Sequence, residues 1–110
     1  MLSVDLKVSK NAVLLVCRGE VVGGREADYL FNLITRDHRG DVILDFAGVT
    51  KVDREGVSVI STSYELLSRL GRRLSLKNPS TELVRALQQL QIESILVSER
   101  TKAQASNSIQ

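Results

Sequence analysis

Hydrophobic residues in this chain repeat with period two in some segments and with helical spacing in others, and glycine or proline marks most of the changes. That switching constrains the fold more than any other feature, because each period buries a different kind of face. Leu2, Val4, Leu6 and Val8 alternate with Ser3, Asp5 and Lys7, which predicts a half-buried strand at a sheet edge. After the Lys10-Asn11 turn, the unbroken apolar run Ala12–Cys17 predicts a strand buried on both faces. Gly23-Gly24 precede a helix over 25–37, carried by Ala27, Leu30, Phe31 and Ile34. Gly40 ends it, and Val42–Phe46 reads as a second buried strand.

Past a loop over Ala47–Glu55, a helix opens near Gly56 and runs to Leu70, with the stripe Val57, Ile60, Tyr64 and Leu67. Gly71 supplies its C-terminal cap. Arg73–Lys77 alternates as a further strand, and Asn78-Pro79-Ser80-Thr81 combines a turn with an N-cap signal. Leu83, Val84, Leu87 and Leu90 make the last helix, followed by the short strand Ile95–Val97. Two strands followed by alternating helices and strands predict a single α/β domain over 1–97, with a mixed, mostly parallel sheet and packed helices. Residues 98–110 read as a polar C-terminal tail.

Charge patterning removes several function classes. A net charge of +2 with basic residues scattered from Lys7 to Lys102 leaves only Arg69, Arg72 and Arg73 as a cluster, and no aromatic residues interleave with it. That reads as a solvated helix end and not as a nucleic-acid platform. The single cysteine, Cys17, lies in an apolar run and reads as a buried, inert thiol in a reducing compartment. The start Met1–Asp5 lacks the pattern of a secretory signal, and no apolar stretch is long enough to insert in a membrane. The expected location is cytoplasmic.

Nothing in the sequence assembles a catalytic, metal or cofactor site. His38 is the only histidine; flanked by Asp37 and Arg39 near a helix end, it reads as a solvated side chain. No Cys/His cluster has metal-ligand spacing, no phosphate-binding lysine loop exists, and Gly19, Gly23 and Gly24 do not form a dinucleotide fingerprint. The strand ending Leu44-Asp45 superficially resembles the phosphoacceptor strand of response-regulator receivers. That family also needs an acidic pair after its first strand and a lysine after its last; here Val97 is followed by Ser98-Glu99.

The informative stretch is Asp41–Gly56, where a strand carries an acid, a connection follows, and a second acid, Asp53, immediately precedes a helix. A helix start of this kind offers unpaired N–H groups and partial positive charge, which Asp53 can cap. Arg18-Gly19-Glu20, Leu44-Asp45-Phe46-Ala47-Gly48-Val49, Val52-Asp53-x-x-Gly56-Val57, Gly71 and Asn78-Pro79 occur in an order and spacing that resembles the STAS family of bacterial anti-sigma factor antagonists, over residues 4 to about 97.

The resemblance implies a non-enzymatic regulatory module that binds a histidine-kinase-like anti-sigma factor and serine kinase, without cofactor or metal. The partner-binding loop would comprise Asp53, Arg54, Glu55, Gly56 and Ser58. Where the family typically reads Asp-Ser-Ser-Gly, with the first serine as phosphoacceptor, this chain reads Asp53-Arg54-Glu55-Gly56. A guanidinium cannot accept phosphate from a serine kinase, so Ser58 and Thr50 become the alternative acceptors. A STAS subunit of a lipid-transport ABC complex or of a stress-signalling assembly is the second reading, a small-molecule or nucleotide sensor the third. A homodimer is compatible with each.

Overall fold

A computed structural model describes residues 1–36 and 40–97. The chain runs β1 (Leu2–Val8), β2 (Ala12–Val21), α1 (Gly23–Thr35), β3 (Asp41–Val52), α2 (Arg54–Arg69), β4 (Leu74–Lys77), α3 (Thr81–Gln89), a 3-10 turn (Glu93–Ile95) and β5 (Leu96–Val97). His38 with Asp37 and Arg39, and the tail over 98–110, lie outside the described residues.

The five strands stand in sequence order across one sheet, β1-β2-β3-β4-β5. Only β1 is antiparallel. The connection from Val8 to Ala12 is too short for a crossover, so the chain reverses in a hairpin closed by Ser9 N–H donating to the Ala12 carbonyl at 2.9 Å. Every later connection carries a helix and returns parallel. Because the strand order always advances the same way, right-handed crossovers place all three helices on one face. Accordingly α1 contacts α2, and α2 contacts α3.

The core fills the space between that layer and the sheet. Val13, Leu15, Cys17, Val42, Leu44, Phe46, Leu74 and Leu76 project from the strands, and Leu30, Ile34, Ile60, Leu67, Leu83 and Leu87 from the helices. Each fully buried Leu or Ile contributes roughly 1.5–3 kcal/mol, so this interface dominates stability.

Among the described residues the helices cover one face of the sheet, which corrects the expectation of strands buried on both faces. Along β2 burial alternates: Val13, Leu15 and Cys17 are enclosed, whereas Leu14 and Val16 are half-buried, as is Ile43 beside them on β3. In β1 only Leu2 is enclosed; Val4 is half-buried and Leu6 and Val8 are exposed, because the edge strand runs out from under the helices.

Other boundaries shift for local reasons. The span Ala47–Val52, expected as loop, continues β3, pairing Gly48, Val49, Lys51 and Val52 with Arg18, Gly19, Glu20 and Val21 across two register shifts. Only Asp53 separates this strand from α2, which therefore opens at Arg54 and not near Gly56. Gly23, expected as a breaker, is the first residue of α1, which ends at Thr35. The buried stripe of α2 is Gly56, Ile60, Ser63 and Leu67, with Val57 and Tyr64 at its margin. In α1 Leu33 is enclosed while Phe31 is half-buried.

Gly71 caps α2 as expected: at φ +73° its N–H bonds the Ser68 carbonyl and the Arg72 N–H bonds that of Leu67. Gln91, at φ +61°, ends α3 the same way without a glycine to announce it. Arg72 is not a solvated charge; it is half-buried and its Nε donates to the Gly40 carbonyl at 2.9 Å, bracing the start of β3.

Candidate functional site

The site lies at the carboxyl ends of β2 and β3, where parallel sheets place crevices. β3 stops at Val52, and the chain turns at once into α2 because Asp53 is extended (φ −95°, ψ −172°) and its side chain closes the first turn. Asp53 Oδ1 accepts from Gly56 N–H at 3.0 Å, and Oδ2 accepts from Gly23 N–H at 2.9 Å. One carboxylate thus ties together the N-termini of α1 and α2, while the Asp53 N–H reaches the Val21 carbonyl of β2 at 3.3 Å. These amide donors, Gly23 foremost and then Gly56, hold the Asp53 carboxyl below its ordinary value near 3.8.

Gly56 is buried for a steric reason. A Cβ there would meet the Val21 carbonyl oxygen at 2.5 Å and Val52 Cγ1 at 2.7 Å. The helix approaches the strands so closely that no side chain fits. Of the expected loop residues, Asp53 and Gly56 thus build the junction, while Arg54, Glu55 and Ser58 stand on the surface.

Beside the junction two depressions meet. A cavity of about 270 Å³ lies between the end of β3 and the N-termini of α2 and α3, over an apolar floor that includes Phe46, Val49, Val57 and Leu83. A wider groove of about 490 Å³ follows α2 and α3, lined by Arg54, Val57, Ser58, Ser61, Thr62, Ala86, Gln89 and Leu90. Arg54, Val57 and Ala86 border both, so one concave strip runs from β3 along the helix pair with Arg54 at its middle.

The residues expected to bind a partner lie at the junction and on α2, and none was expected on the α3 side of the groove, which Ala86, Gln89 and Leu90 supply. Leu90, expected in the apolar stripe of that helix, is 49% exposed and lines the groove instead. Thr50 lines the smaller cavity from β3, exposed, its hydroxyl donating to the Gly19 carbonyl at 3.2 Å. Ser58 shares the α2 face of Arg54 one turn later.

Two other residues have settled structural roles. Asp45 Oδ1 accepts from the Ala47 N–H at 3.0 Å and from Asn78 Nδ2 at 3.1 Å. The Ala47 amide chiefly, then Asn78 and the charges of Lys77 and Lys7, hold its carboxyl below the ordinary value. Cys17 is enclosed, and burial first, then the Asp45 charge, pushes its thiol up to about 12. Among the described residues no group of three His, Cys, Asp or Glu side chains could hold a metal ion, and no helix is long and apolar enough to cross a membrane.

Residues 3–105 match the STAS domain family. The chain belongs to that family. Solved structures similar to this STAS chain include the Bacillus cell fate determinant SpoIIAA in its phosphorylated form, at 17% identity and a TM-score of 0.72 over 98% of this chain and 100% of that one. SpoIIAA in its unphosphorylated form is an anti-sigma factor antagonist. An anti-sigma factor antagonist from Mycobacterium paratuberculosis is similar at 15% identity and a TM-score of 0.69, covering 96% of this chain and 93% of that one. Mglu matches 70% of this chain at 20% identity and a TM-score of 0.62, but the chain spans only 20% of it. At these identities the likeness establishes the fold. Among curated proteins none matches the chain in sequence.

Proposed function

We propose that this STAS domain is a non-enzymatic regulatory module that binds an anti-sigma factor of the histidine-kinase-like, serine kinase type, with Arg54 standing where the family's antagonists carry the phosphoacceptor serine. One observation carries the reading. The Asp53 junction holds Gly56 inside and presents Arg54 and Ser58 on the rim of a concave, partly apolar strip between α2 and α3, with Glu55 exposed on the side of α1. A rigid helix face with an apolar floor and a charged rim suits a protein partner. The cytoplasm is the matching location.

Arg54 leaves the family's switch position without a hydroxyl. Ser58 is the better placed alternative acceptor, because it lines the same groove and lies one turn from a guanidinium that can pair with a phosphate. Thr50 engages the Gly19 carbonyl on another element. The same substitution favours a second reading, in which the domain is a fixed STAS subunit of a lipid-transport ABC complex or stress-signalling assembly and needs no switch.

Calorimetric titration with the anti-sigma-type kinase of the same cell tests the first reading. Alanine at Arg54, Glu55 and Ser58 together should weaken the complex by more than about 1 kcal/mol. Unchanged affinity would move the interface elsewhere; absence of binding by the parent chain would favour the subunit reading.

A further inference from the structure

The outer strand β1 pairs with β2 from Leu2–Gly19 to Val8–Val13 without a register break. Its hydrogen-bonding parity follows from the ladder's two ends. Met1 stands opposite Glu20, whose N–H donates to the Met1 carbonyl, and Ser9 donates to the Ala12 carbonyl opposite it. Odd-numbered residues of β1 therefore turn their N–H and C=O groups toward β2, and the even-numbered Val4, Leu6 and Val8 turn theirs outward. Among the described residues no strand pairs with that outer edge.

Sheet edges of this kind are usually blunted by proline, bulges or charge. β1 has no proline and no bulge. Its apolar side chains are also uncovered: Leu6 is 44% exposed and Val8 70%. Its charges, Asp5 and Lys7, flank Leu6 symmetrically.

We propose that β1 is a self-association edge, at which a second copy of this chain pairs antiparallel about a two-fold axis passing beside Leu6. In that register Leu6 faces its own copy, Val4 faces Val8 of the second chain, and Asp5 faces Lys7. The parity is correct, since every even-numbered pair is one whose backbone groups already point outward. Neighbouring registers fail on charge: centring on Asp5 sets two carboxylates face to face, and centring on Lys7 sets two ammonium groups together. Centring on Val4 leaves Asp5 against Ser3 and pairs no opposite charges. The arrangement joins two sheets into one, with both helix layers on the same side. It leaves the α2–α3 strip open, so it is independent of the partner proposed there.

Sedimentation velocity and amide exchange on the full chain test this. A monomer–dimer equilibrium is expected, with exchange at the Val4, Leu6 and Val8 amides slowing as concentration rises while Lys7 is unaffected. Asp5→Lys or Lys7→Asp alone replaces two symmetric attractions by repulsions and should weaken dimerisation about tenfold. The double exchange, Asp5→Lys with Lys7→Asp, should restore it. Restoration is decisive, because Asp5 also bonds Arg18 at 3.1 Å within its own chain and the double variant does not recover that contact. A chain that stays monomeric at several hundred micromolar, or a dimer indifferent to both single changes, overturns the proposal. Amide exchange on the unmutated chain decides the question even if a variant folds poorly.

Discussion

Replacing Gly56 by alanine sets two effects of similar size against each other, and the structure decides between them. In an exposed helix interior alanine is favoured over glycine by about 1 kcal/mol. Here the new methyl would lie 2.5 Å from the Val21 carbonyl oxygen and 2.7 Å from Val52 Cγ1. The first of these is backbone in a paired strand and cannot swing aside, so α2 must lift from β2. Overpacking of this kind costs about 1–3 kcal/mol, and lifting the helix also strains the two amide bonds to Asp53. The expected net loss is roughly 1–2 kcal/mol. For a domain of this size that lowers the melting temperature by roughly 5–15 °C, measurable by circular dichroism. Gly24→Ala is the control, because its methyl would meet only Glu55 Oε2 at 3.7 Å; its melting temperature should stay level or rise. A Gly56→Ala chain as stable as the parent would refute the close approach of α2 to β2.

Acid should destabilise the domain through Asp53 and Asp45. Both carboxyls are held below their ordinary value near 3.8, so their stabilisation is complete above that pH and is lost as pH falls through the lower folded values. Asp53→Asn should flatten the acid limb of a stability-against-pH curve; an unaltered limb would deny Asp53 its role. Cys17, with its thiol pushed up to about 12 and enclosed, should resist a disulfide reagent at pH 8 in the native chain and react at once in denaturant. Rapid native labelling would contradict its burial. An anti-sigma-type kinase should leave Asp53–Gly56 unmodified in the parent, and Arg54→Ser should gain phosphate there if kinase docking survives. Phosphate on Ser58 or Thr50 of the parent, read by peptide mass spectrometry, would place the switch on that hydroxyl.

Local signals in the sequence were enough wherever a short segment decides its own conformation. Alternation marked β1 and β4, Gly71 marked the end of α2, and Ser80 marked the start of α3, where its Oγ accepts from Leu83 N–H at 3.1 Å. Asp53 was legible as a cap for the same reason, since the bond to Gly56 spans only three residues. The cap that ends α3 was not legible, because Gln91 adopts a conformation that glycine usually signals. There the anchor is tertiary: Ile92 is buried and its N–H bonds the Leu87 carbonyl.

What the sequence by itself determined is therefore the order of strands and helices, the α/β class and Asp53 as the cap of α2. Tertiary structure alone decided which faces those elements share. Apolar runs do not say whether one or both sides of a strand are covered; among the described residues the helices lie on one side, and Leu14, Val16 and Ile43 are half-buried. The second bond of Asp53, to Gly23 thirty residues earlier, and the groove that α2 shares with α3 both join segments distant in sequence. Such contacts arise when packed layers bring those segments together, and no local pattern encodes them.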